Sequence, residues 1–367
     1  MSGMDPLPLP EGIRTRFLDG VNGLRVHVLE AGEPGRPALL LLHGFPELAY
    51  SWRKVMPALA AAGYHVIAPD QRGYGRTTGW SDAYDGDLAP FRVFNLVRDA
   101  LGVLAACGVN KVESVVGHDF GSPVAAWCAM LRPDIFTRVA LMSSPFPGAP
   151  ALPVAGAKAA PDIHAALAAL PRPRKHYQWY YSERRANADM LDAPGGLHAF
   201  LRAYYHHKSA DWPGNTPHPL PSWTAEALAQ MPTYYVMDLA HTMPEAVAEA
   251  MPAGEAPWLT DTELAVYAGE YARTGFQGGL QWYRTRITGR FQAEQEIFAG
   301  KTIDIPAIFF SGASDWGVQQ VPGALAKMRA ACPRMGEIQL IHGAGHWVQQ
   351  EQPEATVAML LNFLKAG

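Results

Sequence analysis

Through the first 148 residues, short apolar runs alternate with segments whose apolar residues recur three and four positions apart. "GLRVHVLEAG", "PALLLLHG", "YHVIAPD", "KVESVVGHD" and "VALMSSP" have strand length and are bounded by turn residues. Between them, "SWRKVMPALAAAG", "PFRVFNLVRDALGVLAACGV" and "SPVAAWCAMLRP" carry helical spacing. Strand, helix, strand at this interval predicts a mostly parallel sheet with helices on both faces. From 149 to 300 the alternation almost vanishes. Pro, Ala and aromatic residues dominate there, and short helical stretches are separated by loops such as "WPGNTPHPLPSW". The strand pattern returns in "IDIPAIFFSGASD" and "GEIQLIHGAG", with helices "GALAKMRAAC" and "EATVAMLLNFLKAG". The expectation is one α/β domain built from residues 1–148 and 301–367, with residues 149–300 inserted as a helical cap.

Charge adds an exclusion. With 34 acidic against 30 basic residues, nothing favours nucleic acid or an anionic membrane surface, and a neutral partner fits better. The longest early apolar stretch, "ALLLLHGF", is too short to span a bilayer. The N-terminal "MSGMDPLPLPEGIRTRF" lacks a basic segment followed by an apolar run, so the expected location is cytoplasmic. Cys107, Cys128 and Cys332 are widely scattered and read as small core residues.

Ligands in open α/β sheets bind at the C-terminal ends of the strands. Three ionisable residues fall at such ends: Asp119 after "SVV", Asp315 after "AIFFSG" and His346 after "IQLIHGAG". Gly117-His118-Asp119-Phe120-Gly121 has the form of a nucleophile elbow, with small residues flanking a side chain pushed into the cavity. Nucleophile, acid, histidine is the chain order expected of such a site. His118 reads as a packed or solvent-facing neighbour rather than a catalyst, and His342, within "IQLIH", as structural. The loop in "LLLLHGFPE" would bring the Phe45 N–H towards that of Phe120 to form an oxyanion hole, with His43 anchoring the loop. "DQRGYGRT" has neither dinucleotide nor P-loop spacing and reads as a supporting loop.

An Asp nucleophile narrows the chemistry. A carboxylate can displace a leaving group from an alkyl carbon to give an ester, which histidine-activated water then hydrolyses. Alkyl halides and epoxides are the two electrophile classes. An epoxide needs a weak acid for its opening oxygen, and tyrosines are available at Tyr177, Tyr180, Tyr181 and Tyr283.

Together, "HGFPELAYSW", "DQRGYGRT", "GHDFGS", "YQWYY", "TGFQGGLQWYR", "SDWG" and "GHWVQQEQPE" are similar to the soluble epoxide hydrolase family of the α/β-hydrolase fold, from about residue 14 to 365. The resemblance implies Asp119 as nucleophile, His346 as base, Asp315 as its acid and Tyr177 and Tyr283 as epoxide-polarising donors. It requires no cofactor and no metal. The segment "YSERRANADM" departs from the family's Phe-Gln-Glu-Pro-Gly-like run, which leaves Tyr180 and Tyr181 as alternatives to Tyr177. Trp179, Tyr180, Trp282, Trp316 and Trp347 are expected to make the pocket apolar, suited to a small apolar epoxide and water. His206 and His207 lack a carboxylate cluster that would make them metal ligands. The rival readings are a haloalkane or haloacid dehalogenase, against which Phe120 replaces the usual halide-binding Trp, and a catalytically silent ligand-binding homologue. Oligomeric state stays open, a homodimer being one option.

Overall fold

The computed structural model describes residues 5–154 and 162–366; residues 155–161 of the expected cap lie outside the described residues. Among the described residues ten strands form: β1 (Ile13–Val21), β2 (Leu24–Ala31), β3 (Ala38–Leu42), β4 (His65–Pro69), β5 (Val112–His118), β6 (Val139–Met142), β7 (Arg174–His176), β8 (Val236–Asp238), β9 (Ala307–Gly312) and β10 (Met335–Ile341). Eight of them make one sheet in the order β1-β2-β4-β3-β5-β6-β9-β10. β1 and β2 are antiparallel, as are β2 and β4, and every later pair is parallel.

The apolar runs explain why the sheet is covered on both sides. Successive side chains of a strand face opposite ways. In β3, Leu40 and Leu42 accordingly enter a core shared with helices Val93–Ala106 and Gly121–Leu131. Leu39 and Leu41 enter a second core with helices Met56–Ala61 and Pro353–Lys365.

Two features depart from the expected pattern. β1 is an edge strand whose side chains are mostly exposed, so "IRTRFLDGV" carries no apolar alternation to announce it. The antiparallel pair β7–β8 is three residues long on each side and contains "RKH", so it is equally silent in the pattern.

Between β6 and β9 the described chain adds no strand to the main sheet. Its principal helices are Leu197–His207, Asp261–Thr274 and Gln277–Ile287. They sit over the loops that leave the strand ends. The Tyr205 hydroxyl donates to the Pro46 carbonyl at 2.9 Å, and the Trp282 indole to the Arg72 carbonyl at 2.9 Å. The Tyr267 hydroxyl bonds Ser51 Oγ at 2.8 Å. Among the described residues no helix is long and apolar enough to cross a membrane.

Candidate active site

Asp119 follows β5 with φ at +51°, the left-handed region that a non-glycine residue enters only when its surroundings hold it there. The neighbours show what does so. A methyl on Gly117 would collide with the Gly121 carbonyl, one on Gly121 with the Leu42 carbonyl, and one on Gly44 with the Asp119 side chain. Strand, turn and helix approach so closely that only glycine fits at all three places.

Asp119, Asp315 and His346 converge as the strand-end argument expected. Phe45 N–H donates to Asp119 Oδ1 at 2.9 Å, while Asp119 Oδ2 lies 3.4 Å from His346 Nε2. On its other side, His346 Nδ1 lies 3.1 Å from Asp315 Oδ1. The Asp315 carboxylate also accepts from Ser311 Oγ and the Gly317 N–H, each at 2.7 Å. Burial alone would raise both carboxyls. For Asp315 the adjoining His346 and these two donors outweigh burial and hold it down to about 2. For Asp119, proximity to His346 and the charges of Lys208 and His118 outweigh burial and keep it well below the usual carboxylate range. The Phe120 N–H, free at the start of helix Gly121–Leu131, makes no hydrogen bond among the described residues.

A second layer escaped the sequence reading. Glu47 and His118 are both fully buried, with Glu47 Oε2 2.5 Å from His118 Nδ1. His118 Nε2 lies 2.7 Å from the His346 carbonyl, and Gln349 Nε2 donates to Glu47 Oε1 at 2.8 Å. Although burial disfavours charge on both, each partner favours the ionised form of the other: Glu47 moves down and His118 up. Lys208, 3% exposed, was missed too. Its carbonyl accepts the His346 N–H at 2.8 Å, and its ammonium lies 5.0 to 5.8 Å from the ring centres of Tyr204, Tyr234, Tyr235 and Trp347. "LLLLHGFPE" contains Glu47, but only the adjacency of β3 and β5 reveals its partner.

A cavity of about 200 Å³ opens above Asp119, bordered also by Phe120, Tyr177, Gln178, Tyr283 and Gln320. Tyr177 is the tyrosine of its cluster that reaches it. The Tyr180 hydroxyl instead donates to Asp189 at 3.0 Å and the Tyr181 hydroxyl to Tyr204 at 3.2 Å. The Tyr177 hydroxyl donates to Gln320 Oε1 at 3.1 Å and accepts from Gln178 Nε2 at 3.0 Å. Tyr283 stands edge-on to Phe45 and Phe120, with ring centres at 5.4 and 4.5 Å, and 5.9 Å from the Tyr177 ring. Burial first, then the Asp119 charge, pushes the Tyr177 phenol upward, and burial followed by the neighbouring Tyr177 phenol and the Asp119 charge does the same to Tyr283, so both remain donors.

Four of the expected pocket aromatics require correction. Trp179, Tyr180, Trp316 and Trp347 border neither this cavity nor the chamber beside it. Trp179 is 42% exposed and stacks on His164. Tyr180 is turned towards Asp189, and Trp347 is buried with its indole N–H on the Tyr205 carbonyl at 2.8 Å. Trp316 is buried with its ring against His218, and Trp282 faces a neighbouring chamber. Aromatic content alone cannot separate a cavity wall from ordinary packing. His43 does anchor its loop, through the Gly44 carbonyl at 2.9 Å and the Gln71 N–H at 3.1 Å. His342 is exposed just beyond β10. Among the described residues no group of three His, Cys, Asp or Glu side chains could hold a metal ion; His206 bonds the Ala250 carbonyl, and His207 packs on Trp212 and Tyr234.

Comparison with known proteins meets this geometry from outside. Residues 37–186 match the family model for the alpha/beta hydrolase fold. Epoxide hydrolase A of Mycobacterium tuberculosis is 36% identical, over 96% of this chain and 98% of its own length. The chain belongs to the epoxide hydrolase family. A solved epoxide hydrolase from an endophytic Streptomyces superposes with TM-score 0.78 at 31% identity, covering 97% of this chain and 96% of that one. Epoxide hydrolase A from Mycobacterium thermoresistibile gives TM-score 0.75 at 32% identity, over 96% and 98%. The mostly parallel sheet expected from the strand pattern and the α/β-hydrolase fold implied by the resemblance are both met in this chain.

Proposed function

We propose that the protein converts epoxides to vicinal diols through a covalent ester on Asp119, with residues 149–300 acting as the cap that carries the polarising tyrosines. The observation that carries the reading is the meeting of a carboxylate and two protonated phenols in one cavity: Asp119 below, Tyr177 and Tyr283 above. A serine site has no use for two acids facing its nucleophile. A carboxylate opening an oxirane does.

In the first step Asp119 Oδ2 attacks an epoxide carbon as the ring C–O bond breaks. The electron pair goes to the ring oxygen, which takes a hydrogen bond from each tyrosine and a proton from one. In the second step His346 Nε2 takes a proton from water, and the hydroxide adds to Asp119 Cγ. Charge develops on Oδ1, where the Phe45 N–H already points and the Phe120 N–H is free. Collapse breaks the bond between Cγ and the ester oxygen, and the departing alkoxide takes the proton from His346. The carboxyl proton returns to the tyrosine, and Asp315 keeps Nδ1 of the imidazole oriented throughout.

The test is the intact mass of His346→Gln after exposure to a small aryl epoxide and, separately, to a haloalkane. Addition of the whole epoxide mass at Asp119 is the expected result. Addition from the haloalkane alone, as an alkyl group without halogen, would make the protein a dehalogenase; addition from neither would favour a silent ligand-binding homologue.

A further inference from the structure

Two cations stand at the cavity mouth without a carboxylate opposite them. Arg286 and Lys327 both border the cavity and are both exposed, and neither side chain makes an ion pair or hydrogen bond among the described residues. Solvated arginines and lysines are common on surfaces. These two differ because they border a cavity whose only acidic residue, among the described residues, is Asp119. Arg286 stands three residues after Tyr283 on helix Gln277–Ile287, which places it on the same face roughly 5–6 Å away. Its charge reaches the Tyr177 hydroxyl, and with burial and His164 it helps push the enclosed His176 down to about 3. His176 is thus a neutral wall here, and the positive charge belongs to Arg286 and Lys327.

Arg286 also borders a second chamber, of about 270 Å³, which shares Phe120, Pro123 and Pro145 with the first. Phe91, Leu96, Val124, Trp127 and Phe146 line it, and no acidic residue does. Across that shared wall, a recess with an apolar side, and with Thr285, Gln292 and Gln295 on another, lies next to the cationic mouth of the cavity that holds the nucleophile and tyrosines. A wholly apolar substrate would use only half of this surface.

Building on the epoxide-opening reading above, we propose that Arg286 and Lys327 form an anion seat. The favoured substrates are epoxides bearing a carboxylate a few bonds from one ring carbon and an apolar group on the other. The planar guanidinium can hold a carboxylate through two parallel hydrogen bonds. One helical turn from Tyr283 suits a short link between ring and carboxylate. A carboxylate at the end of a long chain would overshoot it. The apolar group runs past Phe120 towards the second chamber.

The experiment compares kcat/KM for (3-phenyloxiran-2-yl)acetate, whose methylene supplies the short link, with that for its neutral acetamide, in the wild type, Arg286→Met and Lys327→Met. The wild type is expected to favour the carboxylate by about tenfold or more at low salt, the preference shrinking as salt is added. Arg286→Met should abolish the preference and Lys327→Met reduce it. Hydrolysis of the acetamide without any preference for the carboxylate would overturn the anion seat and leave the ring-opening reading standing. A preference that survives Arg286→Met overturns it as well. If neither compound is hydrolysed and neither alkylates His346→Gln, both readings fall together. Should Arg286→Met fail to fold, Lys327→Met and the wild-type salt titration decide the matter: a preference unmoved by both would overturn the seat.

Discussion

The strand-end loops and the helices between β6 and β9 bring side chains to one cavity by different physical means. Asp119, Asp315 and His346 are set by backbone: a parallel register, a left-handed residue, and glycines pressed against carbonyl groups. Tyr283 is set by ring packing edge-on against Phe45, Phe120 and Tyr177, and Tyr177 by packing against Tyr181, Tyr235 and Tyr283. Close backbone contact admits no adjustment, whereas packed rings can repack at modest cost. Changes in the first region should therefore damage stability and rate together, and changes in the second should damage rate alone.

The largest effect is expected at the elbow itself. In Gly121→Ala the new methyl meets the Leu42 carbonyl, which is backbone and cannot move aside. We expect a loss of about 4 kcal/mol or more, with activity lost as well. Urea denaturation and steady-state turnover would check this, and a variant of wild-type stability would show that the turn is looser than described. Beneath the elbow, Glu47→Gln removes the buried carboxylate that faces His118 Nδ1 and favours the charged form of its ring. Breaking such a pair costs about 3–5 kcal/mol. Because His118 also holds the His346 carbonyl, the rate should fall with the stability.

Among the packed rings the two effects should separate. Tyr283→Phe keeps the ring and its packing on Phe45 and Phe120 while removing one hydrogen-bond donor from the cavity. The alkylation rate with an aryl epoxide should fall about 10²-fold while the unfolding midpoint barely moves. Rapid-quench measurement of ester formation is the direct readout. An unchanged alkylation rate would remove Tyr283 from the ring-opening step.

The same contrast decides what could be read from the chain alone. Asp119, Asp315 and His346 were legible because each ends an apolar run, and the glycines around Asp119 mark the only backbone that can turn so tightly there. Tyr177 could not be separated from Tyr180 and Tyr181, since the choice depends on which hydroxyl Asp189 and Tyr204 occupy. Trp347 was misread as a cavity wall for a related reason: a buried indole bonded to the Tyr205 carbonyl has the same composition as one facing a ligand. β1 was missed because an edge strand has little need of apolar alternation. Glu47 was in plain view, but a pair spanning β3 and β5 exists only once the sheet order is known.

The smallest effect, and the sharpest discriminator, is in acid. Asp315 is held at about 2 in the folded protein, against 3.8 for the unperturbed group. Its contribution to stability is thus complete above the unfolded value and is lost as pH falls from about 4 through about 2. The shift corresponds to about 2 kcal/mol. Between about pH 5 and about pH 2.5, the wild type should therefore lose about 1–2 kcal/mol more stability than Asp315→Asn, measured by urea denaturation at each pH. Tyr177 and Tyr283 have phenols pushed upward, away from this range, so Tyr177→Phe and Tyr283→Phe should keep the full wild-type acid slope. A flattened slope in either tyrosine variant would mean that the ring packing and ionisation at the strand ends are coupled, and that the two regions are not held independently.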